Sequence, residues 1–232
     1  MYDLPCPYGY YYQTGAYGGY GTCNCPPLGT LNDWFAGSET EINRWTYSSV
    51  YIYATKLDTT ATNFKFYEGM QHGVNEWQSA LPGINIIYTQ TSSPQLVNAD
   101  VIMWGGTMTD LNKEVALQQQ LGPYGLIPVP FGSAGAAFPT QRTYEGTWIY
   151  KNWPFPDQTK DGYTIQKVRG YIVDNNRSQD DYYKSCTHEL GHALGWVGHL
   201  PGTVGIMQAV SSNAYSTSLI SNDKKHLQQV YN

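Results

Sequence analysis

Chemistry concentrates in one run of this chain, His188-Glu189-Leu190-Gly191-His192, with His199 following after a glycine-rich gap. Read as a helix, His188 and His192 are four residues apart, so both imidazoles leave the same side one turn apart. That spacing suits two ligands of one zinc ion, and Glu189 between them supplies a carboxylate able to take a proton from a metal-activated water. Gly195 can adopt the left-handed backbone that ends helices, and Gly198 loosens the loop that follows. His199 then arrives from outside the helix. No aspartate or glutamate lies between His192 and Asp223, so an acidic third ligand from downstream would have to be Asp223 itself. His199 is the ordinary zinc ligand in that interval, and three histidines leave a coordination position open, as catalytic zinc sites do. At about 100° per residue, Tyr183, Cys186, Leu190, Ala193 and Leu194 fall on the face opposite the histidines. This segregation predicts one packed side and one side turned to a cleft. Cys186 points about 140° away from the two histidines, which excludes it from the same metal and leaves it a small buried hydrophobe.

These residues resemble a known family. The run from His188 to His199, followed by Gly205-Ile206-Met207, is similar to the metzincin clan of zinc endopeptidases, whose Met-turn passes beneath the metal. Within the clan it looks most like the matrixins and their bacterial relatives. The ending, residues 219–231, resembles the matrixin C-terminal helix, which opens with acidic residues and closes on an aliphatic-tyrosine pair. Two departures stand out: the third histidine comes one residue late, with Gly198 in its usual place, and Asn222 stands where matrixins more often have an aspartate. Gln208-Ala209 follows Met207, without the tyrosine that astacins and serralysins place there.

The resemblance implies an α+β zincin fold. Its parts would be a mixed, mostly parallel twisted sheet, a backing helix, an active-site helix and a small C-terminal subdomain ending in a helix. It implies one catalytic Zn2+ on His188, His192 and His199, with Glu189 as general base and Met207 and Gly195 in support. By looser analogy Tyr215 lines the substrate pocket, although a surface tyrosine reads the same. The histidines and aspartates that hold the matrixin structural zinc and calcium are absent from residues 122–139, so one zinc is expected rather than two. The implied activity is hydrolysis of peptide bonds in a protein or peptide substrate. Matrixin propeptides cap their zinc with a cysteine, and Cys6, Cys23 or Cys25 could do so chemically. Their flanking residues do not match that switch motif, and an extended arm is the plainer reading.

The remaining composition bounds the setting. The 232 residues suffice for one large domain or a domain with an extension. The break falls after a Tyr/Gly/Pro/Cys-rich arm, residues 1–40, ahead of a catalytic domain at 41–232. Net charge is −5 and charged residues are 13%, which leaves no basic footprint for nucleic acid. No apolar run approaches the ~20 residues of a membrane helix, and the first residues lack the regions of a signal peptide. Tyrosines (21) outnumber lysine and arginine together (13), a lean towards an extracellular, secreted protein; a monomer is expected. Cys6 could pair with Cys23 or Cys25 there.

The pattern of elements should position the site. Residues 45–54 alternate as a strand. Phe66, Met70, Val74, Trp77 and Leu81 trace an amphipathic helix stopped by Pro82-Gly83. Strands are expected at 84–89, 99–104, 147–150 and 170–174, and a short helix at 111–120. The prolines and glycines of residues 122–139 exclude a central strand or helix. By position the stretch resembles the irregular loop and edge strand that rim the matrixin cleft, where an edge strand could pair with an extended substrate. The polar stretch 174–181 could coordinate calcium or cap the next helix with an aspartate. His72 and His226 read as surface or cap residues. A zinc-stabilised extracellular binding or surface protein without proteolytic activity is the competing function.

Overall fold

The computed structural model describes residues 28–32, 41–57, 63–92, 99–120, 133–201, 205–211, 214 and 216–231. In chain order the elements are β1 (Thr30–Leu31), β2 (Glu41–Arg44), β3 (Ser49–Lys56), α1 (Phe66–Ala80), β4 (Asn85–Gln90), β5 (Val101–Gly106), α2 (Met108–Gln120), β6 (Gly135–Tyr150), β7 (Gln158–Val173), α3 (Gln179–Ala193) and α4 (Ser221–Tyr231). Among the described residues they make an α+β fold with four helices and one seven-stranded sheet. The sheet runs β1-β6-β7-β5-β3-β4, with β2 also paired to β7. Only β6 with β7 is antiparallel; the other pairs are parallel.

Strand β5 is buried along its whole length, as expected of a parallel strand covered on both faces. Its side chains alternate. Val101 and Met103 join the core that also holds α1 and α3, whereas Ile102 and Trp104 pack with Leu111 and Val115 of α2 on the opposite face. Helix α1 forms where its apolar spacing predicts, and Phe66, Met70, Val74 and Trp77 are all buried. It backs α3 closely: the Trp77 indole N–H donates to the Thr187 carbonyl at 2.8 Å.

The C-terminal end of α3 is held from two sides. Trp45 Nε1–H donates to the Ala193 carbonyl at 2.9 Å, and the Tyr231 hydroxyl donates to the Leu194 carbonyl at 2.5 Å. The same hydroxyl accepts the Trp45 backbone N–H at 3.0 Å. The chain beyond α3 thus returns to brace the helix that carries the histidines.

Several local readings need correction. The strand expected over 45–54 begins only at Ser49, because Trp45 turns inward on Tyr231 and α3. The short strands at 147–150 and 170–174 are portions of one hairpin whose two arms each span 16 residues. Pro139 sits in it beside register shifts, tolerated because bulges and edges do not need every ladder N–H. From Gly135 to Glu145 the outer side of β6 pairs with no strand among the described residues.

Helix α3 is capped not by an aspartate but by Ser178, whose hydroxyl accepts the Asp181 N–H at 3.2 Å and donates to the Asp181 carboxylate at 2.8 Å. His226 is fully buried with its ring 4.9 Å from that of Trp196, because α4 turns Asp223, His226, Leu227 and Val230 inward together. His72 is half-buried, stacked on Tyr183 at 4.7 Å and donating from Nε2 to the Thr217 carbonyl at 2.9 Å.

Candidate metal centre and its cleft

The predicted segregation of α3 is present. Cys186, Leu190, Ala193 and Leu194 are fully buried, with Tyr183 half-buried at the margin. His188 and His192 leave the other face with ring centroids 4.6 Å apart. The helix stops where Gly195 takes φ +113°; a Cβ there would collide with the Asn43 carbonyl. Gly198 follows at φ +72°, again a backbone that side chains disfavour. Between them Trp196 is buried, and beyond them the Leu200 N–H donates to the Met207 carbonyl at 2.8 Å. This doubled-back loop delivers the more exposed His199, whose ring lies 5.2 Å from His188 and 5.1 Å from His192.

One ligand atom from each histidine lies within 4.8 Å of the others, close enough for one metal ion. Hydrogen bonding decides which atoms those are. His188 Nδ1 lies 2.7 Å from the Ile206 carbonyl and His192 Nδ1 lies 2.8 Å from the Trp196 carbonyl. A carbonyl only accepts, so both Nδ1 atoms carry the proton, and both Nε2 atoms present lone pairs. Those two Nε2 atoms face each other at 3.0 Å. Two acceptors so close repel unless a cation lies between their lone pairs. Tetrahedral zinc, with Zn–N of about 2.0–2.1 Å, sets ligand nitrogens about 3.3 Å apart, so the donor set fits that ion.

Burial keeps the imidazoles neutral, the form that binds metal. It pushes His188 well below the usual histidine range, His192 down to about 4, and the less buried His199 downward as well. Glu189 is buried beside them, and loss of water raises its carboxyl to about 8, with the Ala137 backbone and Arg177 acting in the opposite direction. A dication on the histidines would draw that value down again and favour the carboxylate.

Glu189, the histidines, residues 133–137, Arg177 and residues 209–211 line one cleft of about 480 Å³. Met207 is buried behind it. Its N–H donates to Asp223 at 2.8 Å, and the preceding carbonyl of Ile206 is the one that orients His188. Asp223 is therefore no metal ligand, since its two oxygens accept from the N–H groups of Ile206, Met207 and Ile220. Tyr215 lies outside the described residues, as do Cys6, Cys23 and Cys25.

Along the polar stretch 174–181, Asp174 accepts from the Tyr182 hydroxyl, Asn175 from Arg177, and Asp181 from Ser178. Arg177 escaped the sequence reading. It was one cation in a solvated-looking segment, and nothing local shows that it folds back into the cleft.

The sequence matches no family model and no curated relative. No helix among the described residues is long and apolar enough to cross a membrane.

Proposed function

We propose that this chain is a secreted zinc-dependent endopeptidase of the metzincin, matrixin-like kind. The observation that carries the reading is the pair of inward lone pairs on His188 and His192, completed by His199 and flanked by a buried glutamate. Zinc held there supplies a Lewis acid that activates water and polarises a scissile carbonyl. The chain's own residues do the rest. Glu189 accepts the water's proton and returns it to the departing amine. The Ile206 and Trp196 carbonyls hold the two helix imidazoles in the tautomer that keeps Nε2 free. The edge of β6 beside Glu189 pairs with no other strand among the described residues, though the Gly135 carbonyl accepts from the Ser133 hydroxyl, and it is where an extended peptide would add.

The deciding experiment follows peptide or casein hydrolysis by the purified chain through chelation and zinc restoration. Activity lost and regained supports the endopeptidase. Zinc uptake with raised thermal stability but no hydrolysis of any peptide would select the zinc-stabilised binding protein instead. Failure to take up zinc would sink both.

A further inference from the structure

We propose that Arg177 is the carboxylate anchor of this cleft, so that the preferred peptide carries an acidic side chain close to the bond that is cut. The inference rests on the endopeptidase reading and gives it a substrate class. Arg177 lies in the link between β7 and α3, but its guanidinium turns inward and lines the same cleft as Glu189 and the histidines. There Nη1 donates to the Ser185 hydroxyl at 2.6 Å, Nη2 to the Ala134 carbonyl at 3.4 Å, and Nε to the Asn175 side-chain carbonyl. The Tyr182 ring packs 4.9 Å from Cζ. Every one of these partners is neutral.

A guanidinium has five N–H groups in a planar fork, and these contacts engage three of them. Among the described residues no carboxylate comes within ion-pairing distance of it. Asp181 and Glu189 act on it only from further away. A largely buried cation with neutral neighbours is incompletely compensated, and a carboxylate from outside would complete it by the charge-assisted, two-pronged contact that arginine favours.

Position and surroundings assign that carboxylate to a peptide. The bond to Ala134 ties the guanidinium to the start of β6, alongside the edge open to an extended chain. Among the described residues the rest of the lining, from 133–137 and 209–211, is small and uncharged. Arg177 is, among the described residues, the one lysine or arginine side chain in the cleft wall, the group best suited to favour an acidic side chain over its amide.

The test uses the full zinc-loaded chain and acetylated, amidated alanine-rich hexapeptides in which one Glu, or one Gln, is walked through the sequence. At one position kcat/KM for the Glu peptide should exceed that for the Gln peptide by about tenfold or more. Arg177→Gln should bring that ratio to within about twofold of unity, and Arg177→Lys should keep part of it. The ratio is read rather than the rate, so a general loss of activity does not imitate the effect. A wild-type ratio near unity at every position overturns the proposal, and so does a ratio that survives in Arg177→Gln. Should that variant fail to fold, the wild-type ratio and Arg177→Lys still decide.

Binding of the same peptides to zinc-loaded Glu189→Gln, followed by calorimetry, separates the two readings. A Glu preference in binding without wild-type cleavage upholds the anchor and sinks the endopeptidase. Cleavage without any preference does the reverse.

Discussion

Asp223 and Met207 are joined through the backbone: the Met207 N–H donates to Asp223 Oδ1 at 2.8 Å in a site closed to water. The other carboxylate oxygen takes the N–H groups of Ile206 and Ile220, so α4 holds the turn whose Ile206 carbonyl orients His188. Asp223→Ala would leave two buried N–H groups, those of Ile206 and Met207, and the partly buried one of Ile220 without their acceptor. A loss of about 3–5 kcal/mol is expected in urea unfolding, in line with breaking a buried charged network. Zinc affinity should fall about 10- to 100-fold, as when an orienting partner of a metal ligand is removed. Competition with a chelating dye measures it, and unchanged affinity in a folded variant would separate this turn from the metal site.

Gly195 and Gly198 make unequal demands on the loop that brings back His199. At Gly198 the backbone is left-handed at φ +72°, and alanine there should cost about 1–2 kcal/mol. Gly195→Ala adds to an unfavourable φ a collision with the Asn43 carbonyl, and something must move. That variant should lose more stability than Gly198→Ala and should lose zinc as well, because the displaced segment carries the third ligand. Equal melting temperatures and zinc contents for the two variants would refute the distinction.

How far the site could be read in advance follows the range of the interactions. Helices α1 and α3 and the three histidines are legible because their signals span one or two turns: a four-residue ligand spacing, an apolar stripe, a glycine stop. The β6–β7 hairpin is not, because Gly135 and Pro139 mimic a loop unless the partner strand is already in place. Arg177 is recognisable only once Ala134, 43 residues earlier, lies against it. His226 misleads for a related reason. The inward stripe of α4 has helical spacing, but Asp223 and His226 belong to it, and two polar residues disguise it as a solvent face. Asp223 earns its burial with three N–H donors; His226 rests against Trp196.

Burial lowers the His226 pKa to about 4, from an unfolded value near 6.5. The folded state therefore binds the proton less readily than the unfolded state between those values. Its contribution is fully present above about pH 6.5 and is lost as pH falls towards 4, by at most about 3 kcal/mol. The unfolding free energy of the zinc-loaded wild type should fall relative to that of His226→Leu across that window, since the leucine cannot take up the proton. A constant difference from pH 7 to pH 4 would show that His226 plays no part in acid sensitivity.

Metal removal should reveal the strain at the centre itself. Without a cation, two lone pairs face each other at 3.0 Å, held there by the Ile206 and Trp196 carbonyls. Zinc at a thousand times its dissociation constant should add about 4 kcal/mol to stability, readable as a melting temperature that rises with free zinc. Glu189→Gln should keep that dependence, since Glu189 is not among the converging ligands, while kcat falls by about 10²- to 10⁴-fold. His192→Ala should abolish both. If Glu189→Gln cut peptides at the wild-type rate, proton transfer would have to be assigned elsewhere. If instead it lost its zinc, the glutamate would belong to the metal site rather than to the chemistry beside it.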